Sequence, residues 1–593
     1  MNSNRNFFSW SYFTIVLIGI ILINVISALV YYRFDLTQDK RYSLSKNTEE
    51  YLKDDSKFND RVLFKIYLDG NLPAELKSFR NSIEDKLKEF KHFAGKRIEY
   101  QFINPNEGSE QDKAFLFETL YNKGKGIMPM DLMFMKDGSN NQMLIWPGAE
   151  VEYNGSTVSY VQFLPGTPQG KFYELNDQFA SQIQNSINNL EYILISSIKR
   201  ATQNSKPRIA FLQGHGELSF QHTQRVRALL QPYYTVEDIV LNDSIDALKG
   251  VKGLIIARPT STFSDKDKYL IDQFLMNGGR LMCFIDKLNV SEDTLKKNGY
   301  THSTRYNLNI DKMLFDYGFK INDNLVFDVQ CAPKLIPTAK QYLIPWFFSV
   351  RGTNTNHPIA RNLDPVLFNY ISEIEFVGEK ENVKKAVLTS STNSSVTGLA
   401  PMLSLIMYKN YGPNPRLNPT PDDESNKKMI AGIIEGKFQS HFKNRIVGDF
   451  INNPNINYLE KSKNEGKIFV VGNGRFIQNK YDSIQRGSDS NYLYRPSAFN
   501  NLKMDETMSM VNMQPLIYGN QEFFQNLVDY MMGDHSVLDI RSKQIDVHAI
   551  DKEKVKTMAG FYKVLNTLVP SLIIVIIGAV IFYVRKKKYI VKS

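Results

Sequence analysis

The chain is 593 residues long, of which 42% are hydrophobic and 23% are charged, and its formal net charge is +10 at pH 7. This composition is too apolar for a disordered chain, and at about 150 residues per domain the length predicts two to four domains. Five of the ten excess positive charges lie in the last nine residues, so the rest of the chain is nearly balanced. The positive charge therefore does not indicate a nucleic-acid-binding surface.

The cysteine content limits the chemistry of the chain. Two cysteines, Cys283 and Cys331, exclude a disulfide-rich scaffold, an all-cysteine zinc site and an iron–sulfur cluster. Cys283 lies in the apolar run 281–285, which predicts a small buried side chain rather than a reactive thiol. One disulfide between the two cysteines stays open at this stage.

A first membrane segment is predicted at the N-terminus, where residues 12–30 carry no charge and consist largely of isoleucine, leucine and valine. About 20 apolar residues span a bilayer core of about 30 Å. A cleaved signal peptide is the alternative, but its apolar region is shorter, about 7 to 15 residues. We therefore expect residues 1–34 to form an uncleaved N-terminal anchor in contact with lipid.

A second uncharged segment, residues 565–584, runs directly into four basic residues, Arg585, Lys586, Lys587 and Lys588. The positive-inside rule places such a cluster in the cytoplasm. With two spans, both termini are then cytoplasmic and the body between the spans faces the other side. In a Gram-negative bacterium, this places the chain in the inner membrane and the body in the periplasm. A buried core helix is the alternative for each segment, and length, lack of charge and terminal position disfavour it.

The first predicted domain, residues 35–204, has a mixed α/β pattern. Apolar runs at residues 61–68 and 97–103 flank a helical pattern at 73–93, which predicts a parallel βαβ unit. An amphipathic helix at residues 176–200 is expected to pack on the sheet. Further strands of the same mixed sheet are predicted at residues 130–135, 143–146 and 156–163. The arrangement is similar to a thioredoxin-like domain, but the lack of a Cys-x-x-Cys pair excludes redox chemistry of that kind.

The second predicted domain, residues 205–540, has the alternating strands and helices of a doubly wound α/β sheet. Predicted strands lie at residues 208–212, 234–240, 253–257, 280–285, 325–329, 384–388, 429–434 and 467–471, and predicted helices at 225–230, 264–277 and 521–532. A linker over residues 541–563 and a C-terminal helix with its basic tail over residues 564–593 complete the chain.

Two proline-containing stretches of the second domain are expected to be insertions into the sheet. They are residues 333–345 and the polar loop 410–428, which holds four prolines. The neighbouring run of residues 342–348 is rich in aromatic and aliphatic side chains. It is expected to be a core or edge strand, with a contact surface for a partner or the membrane as the alternative.

A turn after the first strand of the second domain is the candidate ligand or partner contact. It consists of Gly214, His215, Gly216 and Glu217 and lies where ligands bind in a doubly wound sheet. A metal site with His222 is an alternative, but zinc proteases place two histidines on one helix, whereas glycines hold His215 in a loop. A purely structural turn is the main alternative.

Other catalytic motifs are weak or missing. The segment Gly472, Asn473 and Gly474 follows a strand as a dinucleotide loop would, but its third glycine position is Ile477. A strand-to-helix turn needs glycine in any case. No Walker phosphate loop and no Gly-x-Ser-x-Gly elbow occur in the sequence, so neither cofactor nor nucleophilic catalysis is predicted.

Short motifs along nearly the whole chain resemble the GldG family of gliding-motility proteins of the Bacteroidota, which are auxiliary or substrate-binding-like components of ABC transporters. The motifs are RYSLS at 41–45, IYLDGNLP at 66–73, FINP at 102–105, GHGE at 214–217, HPI at 357–359, RNLD at 361–364, EGKF at 435–438 and KNR at 443–445.

The resemblance implies a partnership with a polytopic ABC permease and a cytoplasmic ATPase in a complex linked to gliding. We expect this chain to be a non-enzymatic subunit of that complex, with a second copy or an envelope component as a further partner. It also implies a glutamine-amidotransferase-like fold that has lost its catalytic cysteine. Two rivals stay open at this stage: a periplasmic ligand-binding receptor and a cryptic hydrolase that uses His215 and Glu217. Two membrane spans depart from the usual soluble or lipid-anchored binding protein, which disfavours simple capture and delivery.

Overall fold

The computed structural model describes most of the body and parts of both ends. The described residues are 13–15, 17–19, 21–22, 43–56, 59–122, 127–136, 139–164, 172–203, 205–336, 342–361, 363–378, 382–407, 423–443, 458–485, 492–497, 499–511, 516–533 and 552–590. The chain divides into two compact units, one of Leu44–Lys543 and one of Met1–Ser43 with Gln544–Ser593. The two-domain division of the body stays a prediction.

The N-terminal part of the body is a mixed α/β region. Its helices are α1 (Lys46–Lys53), α2 (Ala74–Ala94), α3 (Glu110–Phe117) and α4 (Asp177–Thr202). Its strands are β1 (Val62–Ile66), β2 (Ile98–Phe102), β3 (Met130–Lys136), β4 (Ser139–Ile145), β5 (Gly148–Tyr153), β6 (Ser156–Gln162) and β7 (Tyr173–Glu174).

The predicted βαβ unit is confirmed, because β1 pairs in parallel with β2 and α2 connects them. The sheet order is β2-β1-β5-β6, and β5 is antiparallel to both of its neighbours. The prediction missed β5, and it was wrong to place residues 130–135 and 143–146 in this sheet, since β3 and β4 form a separate sheet with β7. Helix α4 begins where the Asn176 side chain accepts a hydrogen bond from the Phe179 N–H, and it packs on the sheet as predicted.

The C-terminal part of the body contains many more strands. Its helices are α5 (Phe220–Leu230), α6 (Asp265–Met276), α7 (Glu292–Asn298), α8 (Asp311–Asp316), α9 (Glu506–Met510) and α10 (Asn520–Met532). Its strands are β8 (Arg208–Gln213), β9 (Thr235–Val240), β10 (Val251–Ala257), β11 (Arg280–Phe284), β12 (Leu288–Asn289), β13 (Tyr300–His302), β14 (Thr304–Arg305), β15 (Phe319–Ile321), β16 (Val326–Asp328), β17 (Cys331–Ile336), β18 (Tyr342–Asn354), β19 (Val366–Asn369), β20 (Ile374–Phe376), β21 (Val383–Thr389), β22 (Ser394–Val396), β23 (Met402–Ser404), β24 (Met429–Gly436), β25 (Gly466–Val471), β26 (Tyr481–Gln485) and β27 (Tyr492–Pro496).

One large sheet organises this region, in the order β17-β18-β21-β24-β25-β11-β10-β8-β9, with β19 paired to β18. The five strands from β25 to β9 are parallel, and antiparallel strands extend the sheet beyond β25. Helices α5 and α10 contribute side chains to one buried apolar cluster and α6 to another. Because the parallel strands have helices on both faces, they read in the sequence as nearly continuous apolar runs.

The prediction that residues 333–345 form an insertion is wrong. Residues 333–336 belong to β17 and residues 342–345 to β18, at the end of the large sheet, and Pro333 lies directly opposite Pro345 in the register. Proline has no backbone N–H to donate, so the facing prolines remove both donors at a single position of the ladder. This position lies beside a register shift and involves β17, the edge strand of the sheet, where such a loss is tolerated. The run 342–348 is a strand whose Trp346 and Phe348 are buried, as expected for a core strand.

Three other predictions have mixed outcomes. Residues 325–329 were expected in the large sheet, but β16 pairs with β22 in a separate two-stranded sheet. Most of the loop 410–428 lies outside the described residues, and β24 begins at Met429 directly after it. Cys283 is buried in β11 as expected, and Cys283 and Cys331 are both free thiols.

The C-terminal helix α11 (Lys552–Ile590) is longer than the predicted span and begins within the predicted linker. Among the described residues, one segment, Met558–Lys587, is long and apolar enough to cross a membrane, and none of it is buried. The basic residues Arg585–Lys588 belong to its last turns. In the predicted N-terminal span, residues 13–15, 17–19 and 21–22 are helical and the others lie outside the described residues, so that span stays a prediction.

Candidate functional site

The candidate site lies at the carboxyl ends of the parallel strands β8, β10, β11 and β25. Strand β9 lies beside β8 on one side, and β10 lies beside β8 on the other side. The direction in which successive strands are added to the sheet therefore reverses between β8 and β10. Polar groups from several loops converge at the carboxyl ends of the strands beside such a reversal, which is where ligands bind in open α/β sheets. The loops contain His215, Arg258, Asp286 and Arg475.

Side-chain, backbone and ring contacts of His215 hold the turn Gly214–Glu217 after β8 in place. The Nδ1 and Nε2 atoms of His215 lie 3.1 Å from Glu217 Oε1 and 3.2 Å from Asp267 Oδ2. Its backbone oxygen accepts hydrogen bonds of 2.8 Å from the N–H groups of Thr260 and Ser261. The imidazole stacks on Phe263, with ring centroids 3.9 Å apart. These contacts join the loop after β8 to the loop after β10.

His215 thus has both ring nitrogens engaged within the protein. Burial alone would lower its pKa, but the hydrogen bonds to Glu217 and Asp267 outweigh burial and raise it above the usual value for histidine. An imidazole held between two carboxylates is well placed to stabilise the turn, and a ligand would have to displace one of them. This geometry favours the structural alternative, and the ligand contact at the turn stays a prediction.

His222 does not join His215 in a metal site. Its Nδ1 lies 3.0 Å from Ser219 Oγ, and its ring packs edge-on against Tyr481 at 4.9 Å between centroids. Burial and the nearby Arg258 charge lower its pKa. Within the described ranges of the chain, no group of three or more His, Cys, Asp or Glu side chains has the geometry to hold a metal ion.

Asp286, directly beyond β11, is the centre of the candidate site. Its side chain is 2% exposed, and its Oδ1 accepts a 2.6 Å hydrogen bond from the Gly474 N–H. Its Oδ2 accepts hydrogen bonds from Arg258 Nε at 2.9 Å and from Arg475 Nε at 3.1 Å. One buried carboxylate therefore joins the loops that follow β10, β11 and β25.

The backbone around Asp286 is closely constrained. Arg258 has a φ of +57°, a left-handed conformation that is uncommon for a residue with a side chain. A Cβ atom on Gly474 would lie 2.5 Å from Arg258 Cβ, and one on Gly472 would lie 2.2 Å from the Ser372 carbonyl oxygen. The Gly472–Gly474 segment therefore needs glycine so that three chain segments can approach closely, rather than to hold a phosphate.

The two arginines line an open cleft of about 640 Å³, which we call the arginine cleft. Its lining includes His222, Arg258, Glu292, Asn369, Arg475 and Asn479. Glu292 Oε1 lies 3.5 Å from Lys334 Nζ. Burial would raise the pKa of Glu292, but Lys334, Lys296 and Arg475 lower it overall, so the carboxylate stays charged.

The cleft can hold a polar ligand by charge and hydrogen bonding. Burial would lower the pKa of Arg475, but Asp286 and Glu292 raise it. Cys283, the thiol nearest in sequence, is buried within β11, and burial raises its pKa, so it is no nucleophile for this edge.

Sequence reasoning missed Arg258, Asp286 and Arg475. A signal was present, because each follows one of three neighbouring parallel strands by one to four residues. The carboxyl ends of parallel strands meet at one edge, so charged residues that directly follow apolar runs are expected to converge there. The strand order, which the pattern did not provide, was needed to see which charges become neighbours.

Comparison with known proteins adds a family and little else. The profile of the family described as "ABC-type uncharacterized transport system" matches residues 206–504, half of the chain, and that of a domain of unknown function matches residues 38–152. No curated protein matches the chain in sequence. A solved structure, the "mmIFT52 N-terminal domain", aligns at 12% identity over 58% of this chain and 100% of that one. Its TM-score is 0.30, too low to carry an argument about fold or function.

The close approach at Gly472 can be tested by Gly472→Ala. The added methyl group meets the Ser372 oxygen, and that backbone cannot move away easily, because the Ser372 N–H donates to the Gly472 oxygen at 2.9 Å. We expect the free energy of unfolding to fall by about 1–3 kcal/mol in chemical denaturation. Gly398→Ala is the control, since a Cβ there has no atom within 4 Å, and an equal loss in both variants would contradict the account.

The charged His215 contact predicts a pH-dependent stability. Because the folded-state pKa is raised, its contribution is full below about pH 6.5, the usual histidine value, and is lost as the pH rises through the raised value. We therefore expect His215→Gln to lose more free energy of unfolding in mild acid than in alkali. His302→Gln, at an exposed strand position, controls for the removal of an imidazole. A loss that is constant with pH would show that His215 acts by packing alone.

Proposed function

Since the chain belongs to the family described as "ABC-type uncharacterized transport system", we propose that it is a non-enzymatic, membrane-anchored subunit of such a transporter. The family match over residues 206–504 carries the proposal, and the exposed apolar helix α11 supports the anchoring. The spans contact a polytopic permease, which works with a cytoplasmic ATPase. The body couples their cycle to a substrate or to a partner in the cell envelope.

The proposed topology places both termini in the cytoplasm of a bacterial inner membrane and the body in the periplasm. Its support is the basic cluster at the end of α11, because cytoplasmic ends of membrane helices carry an excess of Lys and Arg. The uncharged segment 12–30 supplies the second span in this arrangement.

The finer assignments belong to the same proposal. The short motifs shared with the GldG family support a role in gliding motility. The parallel βαβ unit supports a thioredoxin-like domain over residues 35–204, and the five parallel strands of the large sheet support a glutamine-amidotransferase-like domain over residues 205–540.

The contacts and burial of the candidate catalytic side chains support a non-enzymatic role. His215 and Glu217 bind each other within the turn, and Cys283 is enclosed in the core. A cryptic hydrolase based on this pair would have to break the contacts that fasten the turn. A ligand-binding receptor is the stronger second candidate, because the arginine cleft at the sheet edge is open and polar.

Co-purification tests the proposed partnership. We expect the tagged full chain, extracted from native membranes in mild detergent, to carry with it a polytopic permease and an ATPase identified by mass spectrometry. A matched variant in which residues 558–587 are replaced by an unrelated membrane helix keeps the anchor but should lose both partners if this span contacts the permease. Recovery of the intact chain as a lone monomer would contradict the proposal.

A further inference from the structure

We propose that the arginine cleft binds a small oxyanion, a phosphate or carboxylate group, between the guanidinium groups of Arg258 and Arg475. The inference concerns the isolated chain and does not depend on its partners. It rests on the charge balance of the cleft, on its donor groups and on the rigidity of the two arginines.

The charge balance leaves positive charge facing the cleft. Arg258 and Arg475 share one carboxylate, Asp286, so two positive charges stand against one negative charge. The other acid of the inner cleft, Glu292, lies beside Lys334. At the rim, Asp482 is matched in number by Lys480. An anion entering the cleft would therefore find one guanidinium charge without a matching carboxylate.

The donor groups favour an oxyanion over a neutral ligand. Each guanidinium has five N–H donors in a planar fork that suits phosphate and carboxylate. The hydrogen bonds that the structure describes use the Nε atoms of both arginines, the Arg475 Nη2 atom, which donates to the Val290 oxygen at 2.8 Å, and a side-chain contact between Arg258 and Tyr306. By contrast, the side-chain amides of Asn479 and Asn501 donate to the backbone carbonyls of Gln221 and Gln478. The arginine side chains are 21% and 17% exposed, so each is partly accessible, and both line the cleft.

The two arginines are held in place before any ligand arrives. Arg258 keeps its left-handed backbone, and its N–H donates to the Phe284 oxygen at 2.8 Å. Arg475 is held by Asp286 and by the Val290 carbonyl. Strained backbone and fixed side chains cost free energy and are concentrated at binding sites, where they remove the entropy loss of ordering the side chains on binding.

A structural ion-pair network is the rival explanation, and a binding measurement separates the two. We would titrate the purified full chain in detergent with inorganic phosphate, and separately with acetate, by calorimetry at constant ionic strength. Saturable binding is expected with at least one of them, and the comparison shows which class of oxyanion fits. Absence of saturable binding for both would overturn the proposal.

Variants place the binding in the cleft. Arg258→Gln should weaken the affinity about tenfold or more, the usual effect of losing a charge-assisted hydrogen bond, and Arg258→Lys should retain part of it. Arg280→Gln is the matched control. Arg280 begins β11 and so lies at the amino end of the strand, away from the cleft, and its Nη1 donates to the backbone oxygens of Gly278 and Glu465. Equal losses in Arg258→Gln and Arg280→Gln would overturn the assignment.

A readout without substitutions covers the case in which Arg258→Gln does not fold. Phenylglyoxal modifies accessible arginines, and the oxyanion that binds in the titration should protect Arg258 and Arg475 of the native sequence more than Arg280, as read by peptide mass spectrometry. Equal protection of all three, or none, would overturn the proposal. Because every measurement uses the isolated chain, a negative result leaves the transporter partnership untouched, and a failed co-purification leaves this site untouched.

Discussion

A single buried carboxylate, Asp286, holds together three loops at the carboxyl ends of the parallel strands. It accepts hydrogen bonds from a backbone N–H and from two arginines that come from loops after different strands. A buried charge is costly unless it is paired and fully hydrogen-bonded, so Asp286 requires these partners as much as they require it. The close approach at Gly474 and the left-handed Arg258 follow from bringing these loops within reach of one carboxylate.

Apolar and polar side chains occupy different parts of the large sheet. Helices cover both faces of the parallel strands, so the polar groups that could bind a ligand lie in the loops at the strand ends. At the carboxyl ends of these strands, His215 holds one turn in place, Asp286 joins three further loops, and the arginine cleft is open and polar. Helix α11 has the opposite character, with its apolar side chains exposed as a membrane span requires.

Much of the fold could be predicted from periodicity, and the rest depended on pairing between distant segments. The βαβ unit and the parallel strands were predictable because their apolar runs are bounded by clear turns. Strand β5, with two glutamates, lacks such a run, and its place between β1 and β6 comes from long-range pairing. Pro333 and Pro345 argued against strands, but their direct opposition makes a hairpin tolerable. The Gly214–Glu217 turn was located correctly at the sheet edge, whereas Asp286 became visible only once the order of β10, β11 and β25 was known.

The central claim is that one buried carboxylate holds two arginines in place at the cleft, and Asp286→Asn tests it most directly. The substitution keeps the shape but leaves both guanidinium groups without their buried counter-charge. We predict that the free energy of unfolding in chloride falls by about 3–5 kcal/mol and that the oxyanion that binds the native chain, phosphate or acetate, restores more stability to this variant than it adds to the native chain. Asp482→Asn, at the rim of the cleft, is the control. A loss below about 1 kcal/mol, or no greater response to that oxyanion than in the native chain, would contradict the account.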